Sequence, residues 1–319
     1  MADSDSNWNL TESDPSVFTE LLKTLGVPLI VDDLYSLDPD SLQALQPLHA
    51  LIFLFKWVGG APTAMQGEYD RDFPGFFAHQ VVNNACATIA VLNGIANIPS
   101  LKAGPQLSEM LSFTTGMDPQ TRGLVITSSD WLREAHNSLS PPSAISLDGL
   151  GLPKSSEDAY HFVVYLPTMG SLYELDGLKQ FPVRHGAFDE SGEGWLKKAR
   201  ETIEARIATY PAGALEFSLL ALRDDPLPLL EAQLNQLHAT NNHAQAAEIV
   251  VKISTENSKR ERWAFENSLR RHNHVGLVHA LVVALAKAGK LEGTKETAKK
   301  AMKERIEARK AKGEDMSDD

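Results

Sequence analysis

The sequence predicts a mixed α/β (α+β) chain in which a central sheet is flanked by helices and followed by an all-α module. Three observations predict it. Leu48 to Val58 is a dense apolar run with aromatic residues, closed by Gly59-Gly60, the pattern of a strand buried on both faces. Asn84 to about Asn97 is apolar on nearly every side, so a helix there must lie inside the protein. Beyond Pro228 the pattern is helical throughout. With 319 residues, 43% of them hydrophobic and 23% charged, the chain can bury a full core.

In chain order, Asp14-Pro15 reads as an N-cap with proline at the first helical position. Val17, Phe18, Leu21, Leu22 and Leu25 then form an apolar stripe that ends at Gly26. The 48–58 strand and the 84–97 helix follow, the latter carrying Ile89, Val91, Leu92 and Ile95 among alanines. Ser138 to Tyr160 is rich in Pro, Ser and Gly and predicts a long mobile loop of the kind kept for function. His161 to Leu166 and Leu172 to Asp176 flank a Pro-Thr-Met-Gly turn and read as a hairpin. A helix near Trp195 to Tyr210 and a strand near Leu215 to Leu222 complete the first unit. Pro226 and Pro228 then mark a boundary between domains 1–225 and 226–319. The second holds helices over Leu229 to His238, Ala244 to Arg271 and Val275 to Ala288, and a Lys/Glu-rich stretch to Lys312. Its acidic end, from Glu314, is expected to be disordered.

Composition excludes several functions. A net charge of −12 argues against nucleic acid as a partner. Apolar runs such as Leu51 to Phe55 fall far short of the roughly 20 residues that span a bilayer, so no membrane segment is expected. The polar, acidic N-terminus is the reverse of a secretory signal, which predicts a cytoplasmic and nuclear protein. One cysteine rules out an internal disulfide or a multi-thiolate zinc site. The ten histidines include no His-Glu-x-x-His, so neither metal nor cofactor is expected.

Thiol chemistry needs thiolate, and a free thiol with pKa near 8.5 is mostly protonated at neutral pH. Cys86 opens the buried helix after Asn83-Asn84, read as its cap, where unpaired N–H groups favour negative charge. His161 is the candidate base. With a turn centred on Thr168-Met169 it would face Asp176 directly across the hairpin, and the carboxylate would orient the ring. A lone cysteine is often inert, and a histidine opening a strand is often ordinary. The conjunction of all three is what points to catalysis. Gln80, six residues before Cys86, is the candidate oxyanion donor.

These residues carry a resemblance. Residues 76–88, FFAHQVVNNACAT, resemble the nucleophile motif of the ubiquitin C-terminal hydrolases, peptidase family C12. HFV at 161–163 and LYELDG at 172–177 resemble that family's histidine and aspartate motifs. ESDP at 12–15, LIFLFKW at 51–57, RRHNH at 270–274 and the Lys/Glu tail are similar to its long, proteasome-associated branch. The resemblance implies a papain-like fold with a knotted chain path. It implies Gln80, Cys86, His161 and Asp176 as oxyanion donor, nucleophile, general base and orienting acid. The segment from about Ser143 to Tyr160 would cross over the active site. Ubiquitin would bind at Tyr35, which replaces the tryptophan usual there, and at Leu215 and Phe217. Ile89 stands where the branch often has glutamine. The C-terminal helices would dock on the proteasomal ubiquitin receptor. The expected activity is cleavage of the bond after ubiquitin's last glycine. A ubiquitin-binding proteasome adaptor with a masked active site, or a thiol amidase for small substrates on the same fold, would use the same residues.

Overall fold

The computed structural model describes residues 7–56, 67–140, 160–210, 217–272 and 275–311. Leu215, most of the 138–160 loop, the Val58-Gly59-Gly60 end of the strand and the acidic tail fall outside them. The chain forms two compact units, the first holding residues 1–140 and 159–271, the second 141–158 and 272–319.

In the first unit, helix α1 (Pro15–Thr24) begins as expected: Asp14 accepts the Ser16 N–H, and Pro15 occupies the first turn. It ends at Gly26, where φ is +69° and an added Cβ would lie 2.6 Å from Gly104 Cα, so only glycine fits. Strand β1 (Leu29–Asp33), helix α2 (Pro39–Ala44), strand β2 (Leu48–Lys56) and the short β3 (Glu68–Tyr69) follow. Next come helices α3 (Cys86–Ile95), α4 (Pro105–Phe113), α5 (Pro119–Thr127) and α6 (Asp130–Asn137). Strands β4 (Tyr160–Thr168), β5 (Ser171–Leu175) and β6 (Val183–Ala187), helix α7 (Trp195–Ile207) and strand β7 (Phe217–Asp224) complete the sheet. Its seven strands pair antiparallel in the order β1-β7-β2-β4-β5-β6-β3.

β2 is interior, between β7 and β4, and is buried on both faces as its composition predicts. Ala50 and Ile52 join a core with α1 and α3, while Leu51, Phe53 and Phe55 join a second core with α7. Alternation along β4 gives the same division: Phe162 and Val164 on one face, Val163 and Tyr165 on the other. Each such large side chain, fully buried, contributes about 1.5–3 kcal/mol.

The β4–β5 hairpin is present, but its register differs from the expected one. Thr168 pairs with Ser171, so the loop is Met169-Gly170, with φ of +46° and +71°. A two-residue turn matching strand twist needs positive φ at both centres. β-Branched Thr168 resists that conformation and Gly170 accepts it, which moves the turn by one position. The last pair is Val164 with Leu175, so Asp176 follows on towards Val163 instead of facing His161. A shift of two positions keeps both on the same face.

The helix cap also differs. The cap position of α3 is Ala85, which offers no side-chain acceptor, and Asn84, at φ +65°, donates its amide to Trp8 O instead.

Helix α8 (Pro226–Ala239) starts directly after β7, with Pro226 in its first turn and Asp225 capping Leu227 N. Helix α9 (His243–Arg271), with Trp263 buried, packs on α1 through Asn267, which donates to Ser16 O. Arg270 bonds Asp14, and Lys259 bonds the buried Asp32. The first compact unit therefore runs past residue 225, through Arg271. In the second, helices α10 (Val275–Lys287) and α11 (Leu291–Ala311) are joined through Gly289 at φ +66°. Among the described residues no helix is long and apolar enough to cross a membrane.

Candidate active site

Cys86 is the first residue of α3 and is partly exposed, whereas the rest of that helix is buried. With no side-chain cap, the positive end of the helix dipole faces the sulfur.

His161 is buried near the start of β4. Its Nε2 lies 2.6 Å from Asp176 Oδ1, which also accepts the Leu178 N–H at 2.9 Å. The ring is hydrogen-bonded to Cys86 as well, and with Nε2 engaged by the acid, Nδ1 is the nitrogen left for sulfur. Phe55 on the neighbouring strand meets the ring edge-on at 5.7 Å. Burial alone would lower the His161 pKa. Hydrogen bonds to Asp176 and Cys86, reinforced by their charges, outweigh it and raise the pKa to about 9. The raised pKa favours a protonated ring beside the sulfur. Sulfur, imidazole and carboxylate converge despite the changed register.

Gln80 is fastened beside them. Its backbone N–H donates to Gly177 O at 2.8 Å, immediately after Asp176. One side-chain N–H bonds Val82 O, and the buried side-chain oxygen has no partner among the described residues. A Cβ on Gly177 would lie 2.8 Å from Ile89 Cγ2 and 3.0 Å from Gln80 N. Helix α3, the turn after Asp176 and the Gln80 segment thus meet at one glycine. Ile89, outside the predicted catalytic set, forms one wall of that contact.

The three predicted binding residues fare differently. Tyr35 is 92% exposed, and its hydroxyl donates to Asp33 at 2.9 Å. Phe217 stacks on Phe53 at 5.7 Å. Both line one hollow of about 420 Å³, with Leu37, Ile203 and Ile207. Leu215 lies outside the described residues.

Sequence reasoning missed Glu174, buried two positions before Asp176. It bonds Lys179 at 2.6 Å, Arg206 at 3.0 Å and His185 at 3.2 Å. Burial would raise its pKa, but Arg206, His185 and Lys179 hold it well below the usual carboxylate range. The Arg206 guanidinium lies 4.2 Å over the Phe55 ring, which itself touches His161. No local pattern announces this cluster, because its members come from β5, β6, α7 and a turn. Among the described residues no three His, Cys, Asp or Glu are grouped to hold a metal ion.

Comparison with known proteins decides the family. The model described as ubiquitin carboxyl-terminal hydrolase, family 1, matches residues 8–208, well over half the chain. The chain belongs to that family. As a member it is a cysteine-dependent deubiquitinating enzyme on a papain-like fold. A second model, described as ubiquitin carboxyl-terminal hydrolases, matches residues 246–291. Ubiquitin carboxyl-terminal hydrolase ubh-4 of Caenorhabditis elegans is 38% identical, with 94% of each chain covered. Hydrolase 2 of Schizosaccharomyces pombe is 37% identical over 88% of this chain and 91% of its own. The crystal structure of Trichinella spiralis UCH37 bound to ubiquitin vinyl methyl ester aligns with a TM-score of 0.67 and 33% identity. It covers 81% of this chain and 99% of that one. These relatives identify the long branch of the hydrolases.

Proposed function

We propose that Cys86, His161, Asp176 and Gln80 carry out hydrolysis of the bond after the C-terminal glycine of ubiquitin. The observation that carries this reading is the buried His161, bonded at once to Asp176 at 2.6 Å and to Cys86. The Cys86 thiolate attacks the glycine carbonyl carbon, and the resulting oxyanion is held by Gln80 and backbone N–H at the open start of α3. His161 gives its proton to the departing amine as the C–N bond breaks, leaving a thioester. It then takes a proton from water, whose oxygen attacks the thioester and frees the thiolate. Asp176 keeps the ring oriented in both halves.

The substrate is ubiquitin joined through amide, isopeptide or ester. The hollow between Tyr35 and Phe217 is where ubiquitin would rest. The Trichinella relative was crystallised bound to ubiquitin vinyl methyl ester. We assign residues 226–319 to recruitment by the proteasomal ubiquitin receptor, and the enzyme to cytoplasm and nucleus. On α10, Leu277 with Leu281 and Val278 with Val282 form exposed apolar pairs one turn apart, suited to a partner.

Ubiquitin vinyl methyl ester tests the chemistry. It should form a covalent adduct with the full chain that mass spectrometry maps to Cys86, and none with Cys86→Ala. No adduct even with the proteasomal receptor added would favour a masked adaptor. Leu281→Asp should abolish receptor binding while sparing the adduct; unchanged binding would remove the recruitment assignment.

A further inference from the structure

Residues 76–80, the approach to Gln80, form no strand, yet many of their backbone groups are hydrogen-bonded. Asn93 on α3 is fully buried, and its amide spans Ala78: Oδ1 accepts the Ala78 N–H at 2.8 Å, and Nδ2 donates to Ala78 O at 3.1 Å. Asn97, one turn on, does the same for Phe76, at 2.7 Å and 2.8 Å. Its second N–H returns to Asn93 O at 2.7 Å. Each side chain acts as one rung of a β-ladder.

The geometry explains why two rungs fit. Four helical residues advance about 6 Å and two extended residues about 6.6 Å, so successive turns of α3 meet alternate residues of the segment. The two run antiparallel. The next pair in this register is Ile89 with Gln80, one turn from Cys86. Ile89 has no amide, and the Gln80 N–H is taken by Gly177 O instead. The other side of the segment is held independently: Arg122 donates to Phe77 O at 3.1 Å, and His79 N–H donates to Pro119 O at 3.0 Å. At Gly75 an added Cβ would fall 2.2 Å from Asn97 Oδ1, so the chain enters the ladder at the residue that leaves room for it.

We infer that Asn93 and Asn97 are positioning residues for the oxyanion donor, setting Gln80 in register with Cys86 by using α3 as a template. This rests on the proposed role of Gln80. Because Cys86 and Asn93 share one rigid helix, with Asn97 in the turn just past its end, the distance from sulfur to donor is set largely within a single element. A displacement of about 1 Å at such a donor can cost up to 10²-fold in rate.

The test is a cycle of variants of the full chain hydrolysing a ubiquitin C-terminal amide. Gln80→Ala should lower kcat by about 10²-fold. Asn93→Leu, of similar volume, should lower it about tenfold with KM within about twofold. The double variant should be no slower than Gln80→Ala alone, because the rung acts only through Gln80. A loss that multiplies through the Gln80→Ala background, or an Asn93→Leu enzyme with full kcat, would overturn the inference and leave the Gln80 assignment standing. A Gln80→Ala enzyme with full kcat would remove both. Should melting show Asn93→Leu unfolded, the half-buried Asn97→Leu and Gly75→Ala read the same ladder from its other end, with the same outcomes.

Discussion

Two arms reach the nucleophile, and they are built differently. His161 and Asp176 come on the β4–β5 hairpin, just past the last pair of a backbone ladder whose turn, with two positive φ values, sets the register, and His161 is paired on its other side with Phe55 of β2. Gln80 comes on an irregular segment whose backbone is held by Asn93 of α3, by Asn97 just past that helix, by Arg122 of α5 and by Gly177 O. Backbone ladders tolerate most substitutions, because the hydrogen-bonding groups belong to every residue. A segment held by asparagine amides is only as secure as those few side chains. The hairpin arm should therefore fail only at its chemical groups, whereas the Gln80 arm should also fail at residues that never touch substrate.

Breaking the comparison at its common point gives the largest effect: Cys86→Ala should abolish turnover while retaining ubiquitin binding, measured by calorimetry beside a fluorogenic ubiquitin amide. On the hairpin arm, Asp176→Asn should cost roughly 10³–10⁴ in kcat. Its pH profile sharpens the point. The His161 pKa is raised from 6.5 to about 9 in the folded chain, so the ion pair's contribution is complete below the unfolded value and lost as pH climbs through about 9. Activity should fall along the same alkaline limb, and in Asp176→Asn the limb should move to lower pH. Gly177→Ala tests the contact between the arms. Its Cβ would push on Ile89 and the Gln80 backbone, so kcat should fall about tenfold, with a stability loss of about 1–3 kcal/mol in chemical denaturation. Smallest, and on neither arm, Tyr35→Ala should raise KM about three- to tenfold with kcat unchanged, through lost ubiquitin contact.

What could be read from sequence divides along similar lines. Long apolar signals placed β2, α3 and both strands of the hairpin, because burial on both faces leaves little choice of residue there. The short strands β1, β3 and β6 and the helices α2 and α4 to α6 were not read. They are five residues or fewer as strands and at most nine as helices, too brief for periodicity to declare itself. The residues that converge beside Cys86 could be named from sequence because each proposed role admits very few residue types. The register was not, because it turned on whether Thr168 or Gly170 would accept a positive φ. Asn84 has the composition of a cap, but its amide is spent on Trp8, 76 residues away. The asparagine ladder and the Glu174 cluster depend on pairings between distant elements that spacing does not reveal. The prolines at 226 and 228 mark the start of α8, not a break between compact units, since α9 returns to cover α1.

The proposed chemistry requires His161 to share its charge with an acid on one side and sulfur on the other. Observing the ring directly by NMR during a pH titration of the wild-type chain tests this most simply. His161 should hold its proton through neutral pH and lose it at about 9, and Asp176→Asn should bring the transition down. A ring that is already neutral below its ordinary pKa of 6.5, and indifferent to Asp176→Asn, would contradict it.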